Sequence, residues 1–303
     1  RELRTSTQNR PGNGRGVMRR MAGWFLLVLL SGGCDSPVGV AERAAHWWDA
    51  ADFADTTLTV HPEALEERFA EYVRLLEDER MDPAVAGALL CTVLGRAEAN
   101  EEVFSLLGEL CEKYLYSPDS PCRDEELYRH ALLAVVESDR LDDYRKLRPR
   151  YQLNMIGRNR VGEPATDLTY MLPDGRQSSL YAVGAEFTLL CFVDPGCPEC
   201  GEVRRELARR RLVSRLVGQG RLRVVALYSS PEEDEAAWRA SLGEYPEGWI
   251  AAYDAGAQVH YRGLYDLRRV PCLYLLDARK RVLCKGAVTV EQIAGALEKA
   301  LSR

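Results

Sequence analysis

The sequence is poor in histidine and offers little to a metal ion. Its four histidines never fall at the His-x₃₋₅-His spacing, and Cys197 to Cys200 is the one Cys-x-x-Cys stretch. A structural zinc site needs four ligands, usually from a second close pair. We therefore expect no metal site, although a lone Cys-x-x-Cys can also be half of a zinc site or two structural cysteines.

A membrane-spanning hydrophobic run is also missing near the N-terminus. Residues 22–30 are apolar, but a helix needs roughly 20 such residues to cross a bilayer. This short run follows Arg19 and Arg20 and precedes small residues, an order typical of a secretory signal at 18–34. Residues 1–17 have no apolar periodicity, and we interpret them as a non-native or upstream tail.

The stretch Ser31-Gly32-Gly33-Cys34 resembles the lipobox of bacterial lipoproteins, in which the cysteine becomes the lipid-bearing first residue. Gly32 and Gly33 fit this motif, whereas Ser31 stands where leucine is usual. The resemblance implies a lipid on Cys34, attachment to a membrane through that lipid, and a cell-envelope location facing the periplasm or the cell surface.

The chain lacks the basic excess of a nucleic-acid-binding protein. Its formal net charge is −6, and residues 1–33 contain six arginines and one glutamate, so the mature chain would carry −11. An acidic surface repels phosphate backbones. Nucleic acid is therefore not an expected partner.

A length of 303 residues predicts two domains. The first, residues 35–156, has the apolar periodicity of an all-α domain. Its most apolar helix is predicted at Pro83 to Ala97, and Asn100 is predicted to cap the next helix. Further on, Ser120 is placed to cap another helix, with Pro121 at the first helical position.

The second predicted domain, residues 157–303, alternates strand and helix patterns, which indicates an α/β sheet with covered faces. Phe187 to Val193 reads as a buried strand, and a helix is predicted from Cys197 to about Leu216. Strands are also predicted at 167–172, 222–228 and 249–253, a hairpin at 272–285, and a closing helix at 290–301.

The succession of strand, Cys-x-x-Cys and helix predicts a redox dithiol. Cys197 and Cys200 would lie in the first turn of the helix, whose unpaired N–H groups and dipole favour a thiolate. Pro198 can occupy this turn because its missing N–H costs nothing there. We expect the pair to attack disulfides and then to close on itself.

With Val270-Pro271 placed before a strand, residues 160–303 resemble the thioredoxin-like superfamily, in particular envelope thiol–disulfide oxidoreductases of the TlpA and ResA type. The resemblance implies that Cys197 is the nucleophile, Cys200 the resolving thiol, and Pro271 a cis-proline beside them. Backbone at residue 270 would then pair with an extended substrate. It further implies protein disulfides and an envelope electron donor as partners, and no cofactor.

The helical half resembles an uncharacterised domain that precedes such modules in bacterial lipoproteins. The stretch from Tyr114 to Pro121, together with Glu125-Glu126, carries this resemblance. It implies no activity.

The chain departs from the thioredoxin pattern at a position that serves proton transfer. A buried aspartate often stands six residues before the first cysteine, and this chain has Cys191 there. Asp194 and Glu199 are therefore the candidates for proton transfer, although a solvated carboxylate is the favoured interpretation of each. Cys272 is a candidate third thiol or metal ligand, or a residue of plain strand packing.

Two other functions stay open. A peroxiredoxin-like peroxidase generally needs threonine or serine three residues before the attacking cysteine, where this chain has Asp194. A non-catalytic binding lipoprotein would capture a partner with its helical domain, and its cysteine pair would be structural. Such an inert pair should stay oxidised under mild reductant.

Overall fold

The computed structural model describes residues 37–232, 234–286 and 289–302, in which a helical half precedes a half built on one β-sheet. The expectations for the tail at 1–17, the signal at 18–34 and the lipid on Cys34 lie outside these described residues. Within the described ranges, no helix is both long enough and apolar enough to cross a membrane.

The helical half packs around one apolar core. Its helices are α1 (Pro37–His46), α2 (Thr57–Val60), α3 (Pro62–Leu76), α4 (Pro83–Ala97), α5 (Glu101–Cys111), α6 (Glu125–Glu137) and α7 (Leu147–Ile156). A π-helix (Glu112–Tyr116) continues α5. The bounds predicted for α4 are confirmed, and Asn100 caps α5 as predicted, because its side chain accepts the N–H groups of Glu102 and Val103.

The predicted helix start at Ser120 is wrong. Helix α6 begins at Glu125, and Asp124 caps it by accepting the N–H of Leu127 (2.9 Å). The Ser120 hydroxyl instead donates to the carbonyl of Tyr114 and accepts a backbone N–H two residues later. Serine side chains compete in this way for nearby backbone groups, so residues 117–124 form a loop.

The second half is a seven-stranded mixed sheet in the order β2-β1-β5-β4-β3-β6-β7. Strands β3, β4 and β5 are parallel, and the other neighbours are antiparallel. The strands are β1 (Thr169–Met171), β2 (Gln177–Ser179), β3 (Phe187–Val193), β4 (Leu222–Tyr228), β5 (Ile250–Tyr253), β6 (Cys272–Leu276) and β7 (Val282–Gly286). Every residue of β3 is buried, which confirms the predicted central strand.

Five helices accompany this sheet in the described residues: α8 (Pro198–Arg209), α9 (Arg211–Gly218), α10 (Glu235–Ser241), α11 (Gln258–Tyr261) and α12 (Val290–Leu301). The single helix predicted to Leu216 is wrong, because Arg210 has extended backbone and separates α8 from α9. Val213 and Leu216 of α9 are buried in the core. The predicted bounds of α12 are confirmed.

Candidate active site

The loop after β3 brings Cys197 to the start of α8. Asp194 shapes this loop, because its carboxylate accepts the N–H of Gly196 (2.7 Å) and its carbonyl accepts that of Cys197 (3.1 Å). Cys197 is the N-cap of α8, and its sulfur accepts the N–H of Cys200 (3.2 Å). Pro198 occupies the first helical turn. The Cys197 sulfur therefore lies at the positive end of the helix, where a thiolate is favoured.

The two cysteines differ in accessibility, and burial changes the acidity of Cys200. Cys197 is half-buried and borders a surface depression of about 300 Å³, whereas Cys200 is buried. Burial, helped by the hydrogen bond with Cys197, raises the pKa of Cys200 to about 12, although a backbone hydrogen bond with Asp194 acts in the opposite direction. A reactant arriving from solvent can therefore reach Cys197 before Cys200.

The Val270–Pro271 peptide lies beside Cys197 and is cis, as the resemblance implies. The Val270 carbonyl oxygen is 3.9 Å from the Cys197 sulfur. Strand β6 starts directly after this peptide and pairs antiparallel with β3, with Cys272 opposite Phe192. The register of these two strands therefore brings the loop before β6 next to the loop after β3.

The two carboxylates predicted for proton transfer have other partners in the structure. Asp194 holds the loop through the Gly196 N–H, as described above. Glu199 is exposed, and its carboxylate lies 3.1 Å from the guanidinium of Arg269. A proton-transfer role for either residue stays a prediction.

Cys191 and Cys272, the two buried cysteines on the strands next to the pair, lie on opposite faces of the sheet. Cys191 is buried in the same apolar cluster as Cys200, and burial raises the pKa of Cys191 well above its ordinary value. Cys272 is buried in the cluster on the other face, where its thiol is 3.7 Å from the carbonyl of Asp266, and burial raises its pKa to about 12. Both positions fit packing in the core.

Candidate metal ligands do not assemble in the described part of the chain: no three His, Cys, Asp or Glu side chains there form a group that could hold an ion. The eight cysteines of this part are all free thiols.

Comparison with solved structures decides the family. The crystal structure of a thioredoxin-like protein from Bacteroides caccae matches with 34% sequence identity and a TM-score of 0.81, covering 86% of this chain and 93% of that chain. The match therefore includes both halves. The chain belongs to the thioredoxin-like family.

Three further comparisons each cover less than half of this chain. The C-terminal domain of an uncharacterized protein from Bacteroides fragilis is 34% identical, with a TM-score of 0.44 over 46% of this chain and 98% of that one. The thioredoxin domain of a thiol–disulfide oxidoreductase from Bacteroides vulgatus is 18% identical, with a TM-score of 0.40 over 46% and 96%. A domain of unknown function, DUF5106, matches residues 43–159. None of the curated proteins matches the chain.

Arg268 and Arg269 join the helical half of this thioredoxin-like chain to the cysteine site, and sequence reasoning missed both. Arg268 contacts Tyr116 and Arg269 contacts Asp119, two residues of the helical half. The only available signal was their place directly before Val270-Pro271. Their partners lie about 150 positions away in the sequence, and no local pattern predicts such a pairing.

We expect Cys197 to be alkylated first in the native protein. Burial raises the pKa of each of the other seven described cysteines, which are Cys91, Cys111, Cys122, Cys191, Cys200, Cys272 and Cys284. Iodoacetamide labelling of the reduced protein, followed by peptide mass spectrometry, should show Cys197 reacting at least about ten times faster than Cys200, because only thiolates react.

The same labelling in denaturant serves as the control for this selectivity. Unfolding removes burial, so the rates of the cysteines should then converge. Faster native labelling of Cys200 or Cys272 than of Cys197 would contradict the assignment of the accessible thiol.

Proposed function

We propose that this protein is a thiol–disulfide oxidoreductase of the cell envelope, with Cys197 as the attacking thiol and Cys200 as the resolving thiol. The observation that carries the proposal is the asymmetry of the pair. Cys197 is accessible at the positive end of α8 and lies 3.9 Å from the Val270 carbonyl, whereas Cys200 is buried one helical turn later. Membership of the thioredoxin-like family supports the same chemistry.

The proposed reaction has two exchange steps. The Cys197 thiolate attacks one sulfur of a protein disulfide, and the other sulfur leaves as a thiolate and takes a proton from water. Cys200 then gives its proton to water and attacks the Cys197 sulfur, and the second substrate sulfur leaves as a thiolate that takes a proton from water. The substrate gains two electrons and a Cys197–Cys200 disulfide forms. A dithiol donor in the envelope must reduce this disulfide before the next turnover.

Pro271 belongs to the proposed binding surface rather than to the chemistry. It directly follows Val270, whose backbone is available beside Cys197 for an extended segment of substrate. Main-chain pairing of this kind holds a peptide without requiring a particular sequence.

The proposed location rests on the sequence. The signal pattern at 18–34 and the lipobox resemblance at Cys34 support export and attachment to a membrane through a lipid. An exported compartment also tolerates disulfide chemistry better than the cytosol does. The acidic net charge supports the exclusion of nucleic acid.

The decisive experiment combines turnover with trapping. The wild-type mature chain should reduce insulin with a thiol donor, and Cys200→Ser should accumulate mixed disulfides on Cys197 when expressed in its own envelope. The resolving step is lost in this variant, so adducts that the wild type clears within one turnover persist.

The variant Cys197→Ser,Cys200→Ser is the matched control and should trap nothing. If Cys200→Ser forms no adduct and the wild type reduces no insulin, the protein is not an oxidoreductase. A binding lipoprotein with a structural cysteine pair is then the better description.

A further inference from the structure

The loop that precedes Pro271 is held by the helical half of the chain. We call residues 266–269 the arginine loop, after Arg268 and Arg269. The guanidinium of Arg268 lies 3.3 Å from the centroid of the Tyr116 ring and donates to the Tyr116 carbonyl (2.6 Å). It also donates to Asp266, which in turn accepts the Tyr116 hydroxyl (3.0 Å). Three side chains from two domains therefore fix the arginine loop.

Arg269 extends this contact to the cysteine motif itself. One of its terminal nitrogens lies 2.6 Å from a carboxylate oxygen of Asp119, and the other lies 3.1 Å from one of Glu199. Asp119 belongs to the helical half, whereas Glu199 stands between Cys197 and Cys200. A chain of three charges therefore runs from the helical domain to the redox motif.

This chain of charges contributes little to the stability of the fold. The side chains of Asp119 and Glu199 are 81% and 57% exposed, and exposed ion pairs are worth roughly 0–1 kcal/mol. The position of these charges, which end between Cys197 and Cys200, matters more than the stability that they contribute. Charges near a reacting thiol change the fraction that is ionised, and they do so in opposite directions according to their sign.

We propose that the helical domain is a positioning element of the cysteine site: through Asp119 and Arg269 it holds Glu199, which stands between Cys197 and Cys200, and through Tyr116 and Arg268 it holds the arginine loop, which directly precedes Val270. The consequence of this positioning for disulfide exchange rests on the proposed function. The arrangement itself can be tested on the reactivity of Cys197, whether or not the protein turns over disulfides.

The two ends of the charge chain should act on Cys197 in opposite directions. Asp119→Asn removes a negative charge and leaves Arg269 less compensated, which favours the thiolate. Arg269→Gln removes the positive charge between Asp119 and Glu199 and leaves both carboxylates uncompensated at the cysteine motif, which disfavours the thiolate. At pH 7 and 10 mM salt we expect iodoacetamide to alkylate Cys197 roughly two to five times faster in Asp119→Asn and slower by a similar factor in Arg269→Gln.

Salt and a matched surface variant separate electrostatics from structural damage. At 1 M NaCl the screening length falls to about 3 Å, so both variants should approach the wild-type rate. Asp143→Asn is the control, because Asp143 forms an ion pair with Arg150 (2.8 Å) and is 87% exposed, much like Asp119. It should alkylate at the wild-type rate under both conditions.

Two results would overturn the inference. One is a change in the same direction for both Asp119→Asn and Arg269→Gln, which indicates general loosening of the site. The other is a rate in both variants equal to that of Asp143→Asn. If the opposite shifts appear but the wild type reduces no disulfide, the positioning role stands and the proposed function fails.

Discussion

Replacing Cys197 by serine should lower the rate of insulin reduction by at least about three orders of magnitude. A serine hydroxyl does not ionise near neutral pH and cannot form a mixed disulfide, so neither exchange step can begin. Burial raises the pKa of Cys200 to about 12, so this thiol cannot take over the attack. Initial rates with a thiol donor in excess measure the effect.

Cys91→Ser is the matched control for this prediction. Cys91 is half-buried in the helical half, and its thiol lies 3.6 Å from the carbonyl of His130, a contact that a serine hydroxyl can replace. This variant should turn over at the wild-type rate. Retained turnover in Cys197→Ser would assign the reaction to another thiol.

Glu125→Gln should lower the free energy of unfolding by about 3 kcal/mol, because removing one partner of a buried ion network leaves its other charges uncompensated. Glu125 lies 2.8 Å from Lys285 of β7 and also contacts Arg123 and, at 3.7 Å, Arg268. Its side chain is only 15% exposed. Glu125 begins α6, so this network joins the helical half to the sheet. Denaturant unfolding followed by circular dichroism measures the loss.

The neighbouring glutamate provides the control for this substitution. Glu126 forms an ion pair with Arg160 (2.7 Å), but its side chain is 54% exposed, so Glu126→Gln should cost at most about 1 kcal/mol. If the two variants lose the same free energy of unfolding, burial does not make the Glu125 network more stabilising than the exposed Glu126–Arg160 pair.

The Glu125 contribution should also depend on pH. Burial taken alone raises the pKa of Glu125, yet Lys285 and Arg123 outweigh it and hold that pKa below the ordinary value of 4.5. A carboxyl with a lowered pKa stabilises the folded state above its unfolded pKa and loses this contribution as the pH falls through its folded pKa. The stability gap between wild type and Glu125→Gln should therefore be full above about pH 4.5 and shrink below it.

Local patterns predicted most of the regular structure. The buried strand β3, the apolar helix α4 and the closing helix α12 have the predicted positions, because each has a strong periodicity or a clear cap. The predicted start of α6 and the predicted end of α8 were wrong, because local sequence rules allowed more than one structure there. Ser120 met the rules for a helix cap but closes a loop instead, and three consecutive arginines gave no sign of the break between α8 and α9.

The cysteine site divides in the same way. The order of strand, Cys197, Pro198 and Cys200 indicated a thiol at a helix start, and the structure places it there. Local sequence could not predict that Cys191 and Cys272 lie on opposite faces of the sheet. The faces depend on the register between β3 and β6, which is set by pairing of distant segments.

The sequence by itself determined the Cys-x-x-Cys motif, its place after a central strand and the division into helical and α/β parts, because these depend on residues close together in the chain. Only the tertiary structure decided what surrounds the motif. Arg269 lies between Asp119 and Glu199, and Glu125 meets Lys285, across 70 to 160 positions of sequence. No local pattern pairs charges that are so far apart in the sequence, so packing of the two halves alone selects their partners.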